Sequence, residues 1–139
     1  MYLLDTNVIS ESTKPSPAPA LKQWLQTHAA DDIYLSVITI GEIRQGIERL
    51  PSSKRKENLT GWLEQGLLVA YADFILLVDL ETVEIWGRLS ARLRLAGRTM
   101  QTLDSLIAAT ALQHNLHVVT RNAQDFVHTG VHLVDPWAS

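Results

Sequence analysis

The 139-residue sequence contains no cysteine. That excludes a disulfide scaffold, cysteine-ligated zinc, an iron–sulfur cluster and thiol catalysis together, and it fits a reducing compartment. Lysine is scarce, occurring only at positions 14, 22, 54 and 56. None follows a late strand, and Asp5-Thr6-Asn7 lacks a second acid two residues on, so a phospho-acceptor fold of the receiver or phosphatase kind is disfavoured. No run approaches the roughly 20 apolar residues that span a bilayer; the longest, Leu67 to Val78, is broken by Asp73. No basic segment followed by a long apolar one opens the chain, so no signal peptide is expected. The expectation is a soluble, cytoplasmic protein with no membrane partner. A surplus of positive charge is missing too: 12 basic against 15 acidic residues give a net charge of −3. A chain that binds nucleic acid by bulk charge should be basic, so any such role here needs a local basic surface and a metal.

What is present is a globular composition, 46% apolar and 19% charged, without repeats or low-complexity tracts. A chain of this size fits one domain, residues 1–139, and buries roughly 68% of the surface it exposes unfolded. Strands are expected at Tyr2–Leu4, Ile33–Ser36, Phe74–Val78, His117–Thr120 and His132–Val134. Helices are expected at Ala18–Thr27, from Ser36 to Pro51, at Lys54–Leu68, at Leu80–Ala96 and at Leu103–His114. Ile40, Ile43, Ile47 and Leu50 form one apolar stripe, and Ile85, Trp86, Leu89, Leu93 and Ala96 another. Strands alternating with helices predict an α/β fold with a central, mostly parallel sheet flanked by helices. Ligands of such sheets bind beyond the carboxyl ends of the strands.

Each acidic residue taken alone has a structural role open to it. Asp5 ends the first strand and is equally placed to cap a helix, with Thr6 and Asn7 as turn or cap residues. Glu42, one turn into its helix, reads by itself as a boundary residue favoured near a helix N-terminus. Asp104 precedes Ile107 by three and Ala108 by four, so it leans toward the packed side of its helix, where an unpaired carboxylate is costly. Asn122 and Asp125 follow a late strand and would make a sound N-cap pair. Together they are more telling than apart. Asp5 and Asn122 follow strands, while Glu42 and Asp104 sit near helix N-termini facing the same sheet edge. Converging carboxylates repel each other unless a cation neutralises them. Oxygen ligands without cysteine or clustered histidine suit Mg²⁺ or Mn²⁺ rather than zinc.

The segments LLDTNVISE (3–11), SVITIGEIRQGIERL (36–50), the run GRTMQTLDSLIAATAL (97–112) and VVTRNAQDFVHTGVHLVDPW (118–137), in this order and spacing, resemble the PIN-domain ribonucleases. Within them they are similar to the toxins of VapBC-type toxin–antitoxin pairs, near the FitB-like branch. The resemblance implies a PIN-like fold, an acidic Mg²⁺ or Mn²⁺ site and endonucleolytic cleavage of RNA by in-line attack of water, leaving a 5′-phosphate and a 3′-hydroxyl. It implies that Asp5, Glu42 and Asp104 are catalytic acids, with Asp5 and Asp104 holding the metal directly. Glu42 then binds a second ion or orients the attacking water. The fourth acidic position departs from the pattern of many relatives: Asn122 stands where they have Asp, and Asp125 lies three residues on. Thr6 and Thr120 match positions that hold the acids by hydrogen bonds. A VapB-like antitoxin, whose tail lies in the active-site groove and which alone contacts DNA, and a homodimer are implied as well.

Arg44, Arg98 and Arg121 are candidate RNA contacts, with Arg49 also close to a site segment. Lys54-Arg55-Lys56 reads more simply as a solvated face, and Arg88 and Arg92 as helix-surface partners of Glu84. The five histidines lack zinc-site spacing, and the four tryptophans are placed as core or interface residues. The competing reading is a PIN fold that has lost its metal and serves as a binding module; Asn122 is the feature that favours it.

Overall fold

The structure, a computed structural model, describes residues 1–138. Strand β1 (Tyr2–Leu4) leads into helices α1 (Thr6–Ser12) and α2 (Pro19–Thr27). Strand β2 (Ile33–Ser36) runs directly into α3 (Val37–Glu48), because Ser36 caps it: its Oγ accepts the Ile38 N–H at 3.0 Å. Helix α4 (Lys54–Gly61) continues through a π-helical stretch, Trp62–Leu67, into the single turn α5 (Leu68–Ala70). Then follow β3 (Ile75–Leu76), α6 (Leu80–Leu95), α7 (Thr102–His114), β4 (His117–Val119), a 3₁₀ turn (Ala123–Phe126) and β5 (Leu133–Val134).

The five strands form one sheet in the order β3-β2-β1-β4-β5, and every pairing is parallel. Side chains alternate across a strand, and both faces are covered. Leu4, Leu35 and Val119 point into a core with Val8, Ile9, Leu21, Ile43, Ile47, Leu63 and Leu67. Their neighbours Leu3 and Val118 point the other way, against Leu89, Leu93, Ile107, Ala108 and Ala111 of α6 and α7. The chain therefore sends β2 and β3 to one side of β1 and returns with β4 on the other. The reversal point lies between the carboxyl ends of β1 and β4, where such sheets open a ligand crevice.

The α/β alternation matches the sequence expectation, with several local differences. Helix α1 was not expected; the Asp5 carboxylate caps it by accepting the Thr6 N–H at 2.8 Å. The expected Lys54–Leu68 helix is α-helical only to Gly61. The strand expected over Phe74–Val78 is two residues long, because it is the sheet edge and pairs only with β2; Leu77 is 68% exposed. Ala96, placed inward by periodicity, is exposed, since it is the C-cap of α6, next to the left-handed Gly97. Arg92 is not a surface partner of Glu84: its guanidinium donates to the carbonyls of His128 and Thr129, at 3.1 and 3.2 Å, and pins the late loop to α6. Arg88 does pair with Glu84, at 3.8 Å.

Ile107 is fully buried between α7 and the sheet. Ile107→Ala is expected to destabilise by about 2–5 kcal/mol, read from a lower urea midpoint at unchanged slope.

Candidate active site

The carboxyl edge at the reversal point collects the acids. Asp5 is buried at the end of β1. One of its oxygens is spent on the α1 N-terminus, and the other accepts the Thr120 hydroxyl at 2.8 Å and the Asn7 amide at 3.3 Å. Thr120 is itself fully buried beyond β4, so the bond joins the two strand ends across the crevice. Thr120 Oγ1 also accepts the Asn122 backbone N–H at 3.0 Å, and Asn7 Oδ1 accepts the Arg121 N–H at 3.2 Å. The Thr6 hydroxyl bonds Glu42 Oε1 at 2.6 Å and lies 3.2 Å from the Thr39 hydroxyl, tying α1 to α3. Asp104 enters from the first turn of α7.

These residues face a cavity of about 420 Å³ lined by Asp5, Glu42 and Asp104 with Asn7, Ser10, Glu11, Lys14, Arg121 and Asn122. Burial, and after it repulsion from Asp5, Glu42 and Asp125, raises the Asp104 carboxyl to about 6. Burial also raises Asp5; the bonds from Thr120 and Thr6 oppose the shift, and Glu42 and Asp125 add to it. The donors are hard oxygens, and their mutual repulsion is what a bound cation would relieve. Among the described residues no three acidic or imidazole side chains are arranged to hold an ion by themselves. Mg²⁺ usually keeps several waters and takes only one or two carboxylates, so this pocket, open to water, fits that kind of ion.

The remaining candidates divide. Arg121 lines the acid pocket, and its guanidinium lies 5.4 Å from the Trp137 ring centre. Asp125 and Arg98 line an adjoining chamber of about 500 Å³ that meets the acid pocket at Asp104. Arg44 is turned to Glu64, at 2.7 Å, and does not line either space. Asn122 makes no side-chain cap on the 3₁₀ turn that replaces the expected helix start. Its backbone instead supports Thr120. Sequence reasoning missed Ser10, Glu11 and Lys14. Asn7, Ser10, Glu11 and Lys14 are spaced three and four apart, a polar stripe on one helical face, which was the available signal.

Three comparisons bear on this arrangement. The PIN domain profile matches residues 2–131. Toxin FitB of Neisseria gonorrhoeae is 39% identical over 137 residues, covering 99% of each chain. VapC ribonuclease Y4jK of Sinorhizobium fredii is 36% identical over 137 residues, covering 99% of this chain and 98% of the relative. Among solved structures, FitAB bound to the IR36 DNA fragment superimposes with a TM-score of 0.93 at 37% identity, covering 99% of this chain and 96% of that one.

A carboxyl raised from 3.8 to about 6 binds its proton more tightly in the folded than in the unfolded chain. Its contribution to stability is therefore complete below about pH 4 and is lost as the pH rises through 6. With EDTA present, Asp104→Asn is expected to be more stable than the wild type at pH 7, the gap closing below about pH 4. Equal urea midpoints at pH 7 would count against the crowded-carboxylate picture.

Proposed function

The chain belongs to the PIN-domain family, on the branch of the FitB and VapC toxins, and from that premise we propose that it is a divalent-metal-dependent endoribonuclease, the toxin of a type II toxin–antitoxin pair. The observation that carries the reading is the gathering of Asp5, Glu42 and Asp104 around one water-accessible pocket at the sheet's reversal point. Relatives named as ribonucleases support the choice of RNA.

Asp5 and Asp104 would hold Mg²⁺ or Mn²⁺. Such an ion, when bound, polarises a phosphoryl oxygen and makes water a better nucleophile at neutral pH. The chain's own residues do the positioning. Thr120 and the α1 N-terminus fix the Asp5 carboxylate so that it need not reorganise when substrate arrives. Thr6 fixes one Glu42 oxygen, and the other is the acceptor that orients the attacking water. Asn122 acts through its backbone on Thr120. The exposed Asp125 adds negative charge at the rim, beside Arg98 in the adjoining chamber, which is where RNA leaving the site would run. Arg121 is the arginine placed to meet a phosphate in the pocket itself.

FitAB was solved with DNA. By analogy, a VapB-like antitoxin is the partner of this chain, a homodimer is the working unit, and DNA is contacted through the antitoxin. An apolar chamber of about 890 Å³, lined by Ile43, Ile47, Leu50, Leu59 and Trp62 and opening onto the acid pocket at Glu42, is a fitting seat for the antitoxin tail.

The purified, antitoxin-free protein is expected to cut structured cellular RNA with Mg²⁺ or Mn²⁺. EDTA, Asp5→Asn and Asp104→Ala should each abolish the cuts, while the far-ultraviolet circular dichroism of both variants stays native. Mn²⁺ should raise the melting temperature of the wild type. Cutting that survives Asp5→Asn would remove the acid-site assignment. Absence of both cutting and Mn²⁺ stabilisation would favour a metal-free binding module.

A further inference from the structure

Most basic side chains of this acidic protein are engaged away from the acid pocket or line other spaces. Lys56 donates to the carbonyls of Glu48 and Leu50, closing the end of α3. Arg92 holds the late loop, Arg44 pairs with Glu64 and Arg88 with Glu84. The cations that line the acid pocket are Lys14 and Arg121. Lys14 also lines the apolar chamber, so it stands where the two spaces meet.

Its setting differs from that of an ordinary surface pair. The Lys14 ammonium lies 2.9 Å from Glu11 Oε1, with side-chain exposures of 58% and 9% respectively. The other Glu11 oxygen accepts the Ala18 N–H at 3.0 Å, closing the Pro-rich turn between α1 and α2. Glu11 is thus fixed by its burial and by that turn, and it holds the ammonium at the pocket rim. Lysine has three N–H donors; one is satisfied by Glu11 and two remain for an anionic oxygen. The bond to Lys14, then the one to Ala18, holds the Glu11 carboxyl below the usual carboxylate range, so the pair stays ionised at neutral pH.

We propose that Lys14, fixed by the buried Glu11, is a positioning residue that grips the RNA phosphate next to the one being cut, on the side of the acid pocket that opens into the apolar chamber. This rests on the ribonuclease reading. The bland alternative, a helix-end ion pair, contributes little to stability when exposed and predicts no effect on RNA.

The test is fluorescence anisotropy of a labelled single-stranded RNA with the full chain in EDTA, where cutting is prevented, across a salt series. Lys14→Gln is expected to weaken binding about 5-fold or more and to reduce the slope of log K against log salt by about 0.7, one phosphate's worth on a single strand. Lys14→Arg should restore both, and Lys22→Gln, a charge change on α2 away from the pocket, should alter neither. Glu11→Gln/Lys14→Gln leaves the local charge sum as in the wild type. If only the sum mattered it would bind normally; the proposal requires it to stay weak. In the Mg²⁺ arm, Lys14→Gln should raise KM with kcat retained. Wild-type binding matched by Lys14→Gln overturns the proposal and leaves the nuclease reading standing. A wild type that neither binds RNA in EDTA nor cuts it in the Mg²⁺ arm overturns both, and one that cuts without binding in EDTA is judged on the KM of Lys14→Gln.

Discussion

Repulsion among like charges is the constraint around which this sheet edge is organised. Asp5, Glu42, Asp104 and Asp125 come from four separated stretches of chain; burial, and after it the nearness of the other three charges, raises the Asp104 carboxyl. A parallel sheet with a reversal point supplies the place, and the hydroxyls of Thr120 and Thr6 supply the restraint. The Asp5–Thr120 bond is the central one, because it closes β1 against β4 while holding the carboxylate in a fixed orientation. Carboxylates left free would turn away from one another toward water. Asp5, Glu42 and Asp104 line one pocket, where their mutual repulsion is what a bound cation would relieve.

The apolar core lies apart from this crowded edge. The two apolar layers sit on opposite faces of the sheet, supplied by alternate residues of β1 and β4. Three spaces then meet at the carboxyl end: an apolar chamber beside Trp62, the acid pocket, and a polar chamber with Arg98, Gln124 and His128. The three differ in chemistry, one apolar, one acidic and one polar with a cation.

The fold was largely legible because β1, β2 and β4 are apolar runs covered on both faces, and because α3, α6 and α7 are long enough to show a 3.6-residue repeat. What escaped was short or irregular. Helix α1 has seven residues, only Val8 and Ile9 of them apolar and buried, too few for periodicity to show. A π-helical stretch leaves no distinct pattern, and edge strand β3 is cut short by lost pairing rather than by composition. In the site, Asp5, Glu42 and Asp104 were readable by position relative to strand ends and helix starts. Arg44 was not, because two residues beyond Glu42 lies roughly 200° further round the helix, toward Glu64. Glu11 was hidden with the short helix that carries it, and Lys14 with the turn that follows.

The claim on which the account turns is that this edge is a divalent-cation site completed by Asp104. Its most direct test is isothermal titration of Mn²⁺ into the antitoxin-free wild type and into Asp104→Asn, from pH 5 to pH 8. The account predicts saturable binding to the wild type that weakens as the pH falls through about 6 and releases protons, and that Asp104→Asn greatly reduces at every pH. Equal Mn²⁺ affinity in the two proteins, or no binding by the wild type, would contradict it.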